Sequence, residues 1–134
     1  MVKLVVGLKG SGKTKTLIEA ANTAVETSMG TVVVIEKGTK LIHEIKYQAR
    51  LINTDEYGIE DGEALLGFVA GIIASDHDAK DLFIDQAYKV CTDMQDFERF
   101  VLRLEKFCEV HEVRALLTCS MDKEDLPESI ARFA

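Results

Sequence analysis

The stretch Gly-Leu-Lys-Gly-Ser-Gly-Lys-Thr, Gly7 to Thr14, constrains this chain more than any other. It lies between an apolar run and a helical pattern. Leu4 to Val6 reads as a buried strand. Leu17, Ile18, Ala21 and Val25 then recur at helical spacing, predicting a helix from Lys13 to about Ser28 that is stopped near Gly30. A strand that turns through glycines into an amphipathic helix is the opening of a strand–helix–strand unit, which favours a parallel sheet with helices on its faces.

The rest of the chain continues the alternation. Thr31 to Ile35 is β-branched throughout and predicts a second buried strand. Leu41, Ile42, Ile45 and Ala49 predict a short amphipathic helix, and Arg50 to Asn53 a short strand. Ala64 to Ala74 is apolar almost all the way round, so that helix is expected to be covered on more than one side, with a neighbouring subunit as one source of cover. Leu82 to Ile84 predicts a fourth strand. Asp93 predicts an N-cap for a helix carrying Phe97, Phe100, Val101, Leu104, Phe107 and Cys108 on one stripe. Ala115 to Leu117 predicts the last strand, and Pro127 the opening of a terminal helix. The expected fold is α/β, a three-layer α/β/α sandwich around a mostly parallel sheet of about five strands, in one domain over residues 1–134.

Gly7, Gly12, Lys13 and Thr14 fit the spacing G-x-x-x-x-G-K-[ST]. Glycines let the backbone curl so that successive N–H groups point inward, and the following helix adds its positive N-terminal end. Lysine reaches the terminal phosphates, and the threonine hydroxyl binds magnesium. With strand before and helix after, the sequence resembles the P-loop nucleoside-triphosphatases. That resemblance implies the P-loop fold, ATP and magnesium as ligands, and phosphate contacts from Gly7, Gly10, Ser11, Gly12, Lys13, Thr14 and Lys15. It also implies an acid at the end of a second buried strand, opposite Thr14, to hold the magnesium. Asp85 in Asp-Leu-Phe-Ile-Asp-Gln is similar to that Walker B aspartate; the alternative is an aspartate capping a turn.

In the additional-strand, catalytic-glutamate division of this superfamily a glutamate commonly follows the aspartate and activates water. Here the residue is Gln86, a neutral amide that orients water without taking its proton, so hydrolysis is expected to be slow. Glu36, ending the second strand where RecA-like and pilus-retraction ATPases place their glutamate, is the leading substitute base; a solvated strand-end glutamate is the other reading. Thr118 and Ser120 end the last strand as γ-phosphate sensors or as packing and turn residues. Lys37, Lys40, Lys46 and Arg50 form a basic run that reads as a solvated helix face or as a site for a second anion. The element order is also similar to type II thymidine kinase, and Ile84 to Tyr88 to that family's IDEAQ segment, with Gln86 in place of the glutamate. RecA-like relatives often complete their sites with a neighbour's arginine, for which Arg99, Arg103, Arg114 and Arg132 are candidates.

Net charge is −7, which argues against coating nucleic acid or an anionic membrane. The charge is uneven: residues 1–50 carry eight basic against four acidic side chains, and the remainder eight against nineteen. The front half therefore suits a compact anion. No apolar stretch is long enough to span a bilayer, and Cys91, Cys108 and Cys119 have neither CxxC spacing nor paired histidines, so reduced cytoplasmic thiols are expected. The sequence reads as an ATP-binding P-loop protein, a slow magnesium-dependent ATPase or ATP-dependent switch. The alternatives are a nucleoside-type small-molecule kinase, or a nucleotide-binding assembly module related to pilus-retraction motors, acting as a homo-oligomer or with a protein partner.

Overall fold

The computed structural model describes all 134 residues. Its elements run β1 (Val2–Gly7), α1 (Lys13–Thr27), β2 (Thr31–Glu36), β3 (Arg50–Asn53), α2 (Gly62–Ser75), β4 (Ala79–Ile84), α3 (Ala87–Val90), α4 (Met94–His111), β5 (Arg114–Ser120) and α5 (Glu128–Ala131). The strands form one sheet in the order β1-β5-β4-β2-β3, and every pairing is parallel. The architecture is the expected α/β sandwich.

Alternation along the strands divides the core between the two faces. Val33, Ile35, Leu82 and Ile84 point into a large cluster with α2 and α4, where Phe97, Phe100 and Leu104 are buried. Val32, Val34 and Phe83 point the other way, onto Leu17 and Ala21 of α1 and onto Leu41, Ile45 and Ala49. Burying each large apolar side chain contributes about 1.5–3 kcal/mol relative to leaving it in water, so both faces must be covered. Asp93 caps α4 as its sequence predicts, accepting from the Asp96 amide at 2.8 Å. No helix is long and apolar enough to cross a membrane.

Three expectations need correction. Leu41 to Ala49 is a series of turns, with only one helical turn at Leu41–Ile45. Leu41, Ile45 and Ala49 are buried as the pattern requires, Ile42 is exposed, and part of the backbone is satisfied by side chains. Glu36 accepts the amides of Lys40 and Leu41, and the Asn22 side chain takes the Lys46 amide and donates to the Glu44 carbonyl. The Lys40 and Leu41 amides would have no partner at a helix start, but with the Lys46 amide and the Glu44 carbonyl engaged by Asn22 no helical ladder propagates. Secondly, α2 is covered by the sheet and α4 through Leu65, Val69 and Ile73, while Ala64, Gly67, Gly71 and Ala74 stay exposed within this chain. Small residues make that face apolar in composition with little apolar area. Thirdly, β4 begins at Ala79 and β5 at Arg114, because Asp81 and Arg114 are register partners that hydrogen-bond across the strands at 3.0 and 3.1 Å. Charged residues hid these strand starts from a pattern of apolar runs.

All five strands point their carboxyl ends to one edge. Glu36 is in register with Asn53, Ile84 with Leu117, and Gly7 with Ser120. Ligands of open parallel sheets bind in the crevice outside these ends.

Candidate functional site

The loop from β1 to α1 is curled by Gly10 and Gly12, at φ 89° and 88°, a left-handed backbone that side-chain-bearing residues rarely adopt. The Ser11 amide closes a turn on the Leu8 carbonyl at 3.1 Å. The amides of Gly10, Gly12, Lys13, Thr14 and Lys15 find no acceptor in the chain; Thr16 is the first to do so, on the Gly12 carbonyl at 3.0 Å. The α1 N-terminus has no side-chain cap and no acid in its first turn, so its dipole and free N–H groups are uncompensated. Ser11 and Lys15 are exposed. Lys13 is only 5% exposed, its Nζ donates to the Leu8 carbonyl at 3.3 Å, and no carboxylate pairs with it.

Thr14 faces Asp85, 71 residues away in sequence. Asp85 is buried, and its Oδ1 accepts from Thr14 Oγ1 at 3.2 Å and from Thr118 Oγ1 at 2.6 Å. The fully buried Thr118 hydroxyl also accepts the Gln86 amide at 2.8 Å. Gln86 has a left-handed backbone at φ 54°, and its Oε1 accepts from Ser120 Oγ at 2.8 Å. The Gln86 carbonyl oxygen, the atom that would orient a water, is thus held by β5.

Glu36 is buried at the tip of β2 rather than solvated. Its two oxygens accept the Lys40 and Leu41 amides at 3.0 and 3.1 Å. Burial pushes its carboxyl above the usual range; the amides offset part of the rise, and the nearby Asp85 charge adds to it. A cavity of about 90 Å³ joins Thr14, Glu36 and Asp85 to Lys40, Gln86 and Lys89. The structure therefore brings together the three residues expected to bind magnesium or act as base, although they come from three separate segments.

The basic run does not form one helix face. Lys37 pairs with Asp55 at 2.7 Å and Lys46 pairs with Glu26, whereas Lys40 turns to the cavity without an acid partner. Lys89 joins it from α3, also unpaired; its only sequence signal is that it lies one helical turn after Asp85. Among the arginines, Arg114 is held by Asp81, and Arg132 stacks on Phe133 with its guanidinium 4.5 Å from the ring centre.

The donors fit magnesium. Thr14 and Asp85 offer hard oxygens in contact, and magnesium commonly takes only one or two carboxylates, leaving the rest of its octahedron to phosphate and water. No cluster of three or more acid, histidine or cysteine ligands competes elsewhere in the chain. No protein-family model matches the chain, and no curated protein matches it.

Proposed function

We propose that this chain belongs to the P-loop nucleoside-triphosphatases, binds ATP with magnesium at the Gly7–Thr14 loop, and transfers the terminal phosphoryl group slowly, as an ATPase or ATP-dependent switch. One observation carries the reading: Lys13 is buried without an acid partner inside a curl of five unpaired amides, beside Thr14 and Asp85. A buried ammonium is costly unless an anion accompanies it. The placement of β5 between the loop strand and the acid strand agrees with the additional-strand division.

In this reading the amides of Gly10 and Gly12 to Lys15 and the Lys13 ammonium hold the phosphate chain, while Thr14 and Asp85 hold the metal. Magnesium supplies charge neutralisation across the phosphate oxygens. Glu36 accepts the proton of the attacking hydroxyl or water, and Lys40 and Lys89 add positive charge at the cavity mouth. Burial raises the proton affinity of Glu36 and so makes it a stronger base once ionised. Gln86, neutral and tied to Ser120, supplies no second base, which is why turnover is slow.

The test is a panel of nucleoside triphosphates with magnesium on the intact protein, with Lys13→Ala as control. MgATP at one hundred times its dissociation constant is expected to stabilise the wild type by about 2.7 kcal/mol and the variant not at all. If no triphosphate binds in a magnesium-dependent way at millimolar concentration, the reading is wrong. A small-molecule kinase is the second reading, favoured by a further cavity that Glu36 also lines.

A further inference from the structure

A groove runs along the seam of α2 and α4, on the face of the sheet opposite α1. Its widest part, of about 540 Å³, lies between Leu66, Gly67 and Ala70 of α2 and Arg103, Lys106 and Phe107 of α4. A narrow extension of about 10 Å³ carries it on to Arg99 and Asp96. We propose that this groove is the docking site for an acidic amphipathic helix of a partner protein. It shares no residue with the Gly7–Thr14 loop or with Glu36 and Asp85, so the proposal stands independently of the reading of that site.

The two walls are built differently. Glu63, Gly67, Ala70 and Ala74 recur at i, i+4, i+7 and i+11 on α2, so after its first residue that stripe carries nothing longer than a methyl group. A Cβ added at Gly67 would meet nothing within 4 Å, which leaves room for another chain to approach closely. Arg99, Arg103, Lys106 and Val110 take the same spacing on α4. Three cations therefore stand in a row along about 10 Å of helix, at a rise of about 1.5 Å per residue. Val110, exposed, continues the row, and half-buried Leu66 and Phe107 supply the apolar lining.

Charge selects the occupant. Arg103 and Lys106 form no ion pair in the chain, and Arg99 reaches only Asp96, at 3.9 Å, while Asp96 Oδ2 is taken by the Gly62 and Thr92 amides. Glu63, at the same end of the groove, is exposed and pairs with none of them. Glu98 and Glu105 of α4 are by contrast used inside the chain, Glu98 on the Ser129 hydroxyl and Glu105 on the Val2 amide at 2.7 Å. Residues 51–134 carry eight basic against nineteen acidic side chains, so an idle cationic row is an exception there. A second copy seated by a two-fold contact would set one such row against the other, which is repulsive. An anionic membrane would meet a chain of net charge −7 and a recessed wall. A helix with Glu or Asp at the same i, i+4, i+7 spacing meets the row, and its apolar stripe lies on Leu66, Gly67, Ala70 and Phe107.

The experiment uses the full chain labelled with ¹⁵N and synthetic peptides of about fourteen residues. One carries Glu at i, i+4 and i+7 beside a Leu stripe, one has Lys in place of each Glu, and one is a scramble of the first; vesicles of phosphatidylglycerol complete the set. The acidic peptide is expected to shift the amides of Gly67, Ala70, Arg103 and Phe107 saturably, and more weakly as salt is raised, while the other two peptides leave them in place. Arg103→Glu combined with Lys106→Glu, both at exposed positions, is expected to weaken binding about tenfold with an unchanged melting temperature. Gly67→Leu, which fills the low wall and leaves the charge alone, is expected to weaken it as well. The proposal is overturned if the acidic peptide moves none of these amides at millimolar concentration, if the Lys peptide or the scramble binds equally well, or if either variant binds as tightly as wild type. A chain that sediments as a dimer and is dissociated by Gly67→Leu gives the groove to a second copy, and shifts with vesicles in place of the peptide give it to a membrane; each of these results overturns the proposal too.

Discussion

Thr118 donates its hydroxyl to Asp85 Oδ1 at 2.6 Å from the strand that separates β1 from β4. The Thr118 hydroxyl oxygen in turn accepts the Gln86 amide, so one buried side chain fixes both the acid expected to face magnesium and the turn that follows it. Thr118→Val keeps the shape and removes both bonds, leaving a buried carboxylate short of a donor and a buried amide short of an acceptor. Denaturant unfolding is expected to show a loss of about 1–3 kcal/mol, and Thr118→Ser, which retains the hydroxyl, to recover most of it.

Gly12 should tolerate alanine in space and not in backbone. A Cβ there meets nothing within 4 Å, yet φ is 88°. Left-handed backbone costs a side-chain-bearing residue about 1–2 kcal/mol, so Gly12→Ala is expected to lose about that much stability in denaturant unfolding. If the loop relaxes to a negative φ instead, the amide curl is lost, and calorimetry should show weaker MgATP binding with unchanged stability.

Glu36 should make the protein less stable as pH rises. Its carboxyl is raised in the folded state by burial, so the folded chain holds this proton more tightly than the unfolded chain. Its contribution is full below the ordinary glutamate value of 4.5 and declines as pH rises through the raised folded value. Glu36→Gln, which never ionises but offers only one acceptor to the two amides, is expected to be less stable than wild type at about pH 4, with the gap narrowing as pH rises to neutral, read from paired denaturant melts. Its turnover of ATP is expected to fall about 10²- to 10⁴-fold with nucleotide binding retained.

Asp96 carries the opposite sign. It accepts the amides of Gly62 and Thr92 at 2.9 Å each, joining the start of α2 to the segment before α4. Burial opposes its charge, but these amides outweigh burial and hold its carboxyl below the usual range. Its contribution is present above the ordinary aspartate value of 3.8 and is lost as pH falls through the depressed folded value. Asp96→Ala is expected to cost about 1–3 kcal/mol at neutral pH, with a smaller difference from wild type in strong acid.

The glycine-rich curl between β1 and α1 was legible because it is local. Three glycines, two lysines and a threonine within eight residues, set between a strand pattern and a helix pattern, specify their own backbone with little help from the rest of the fold. Parallel topology followed from the alternation of apolar runs with helical stripes. The segment after β2 carries helical apolar spacing without forming a helix for a physical reason: Asn22, from α1, takes the Lys46 amide and the Glu44 carbonyl that a helical ladder would use.

Sequence alone determined the α/β class, the loop and the identities of Thr14, Asp85 and Glu36 as residues to watch. Their meeting is a tertiary fact. Thr14 and Asp85 are 71 residues apart, and Asp85 and Thr118 are 33 apart. Only parallel pairing of β1, β5, β4 and β2 brings these strand tips to one edge. The burial of Glu36, the approach of Lys40 and Lys89, and the groove between Gly67 and Arg103 were likewise decided by packing, because burial and encounter depend on which surfaces meet, and no short stretch of chain encodes that.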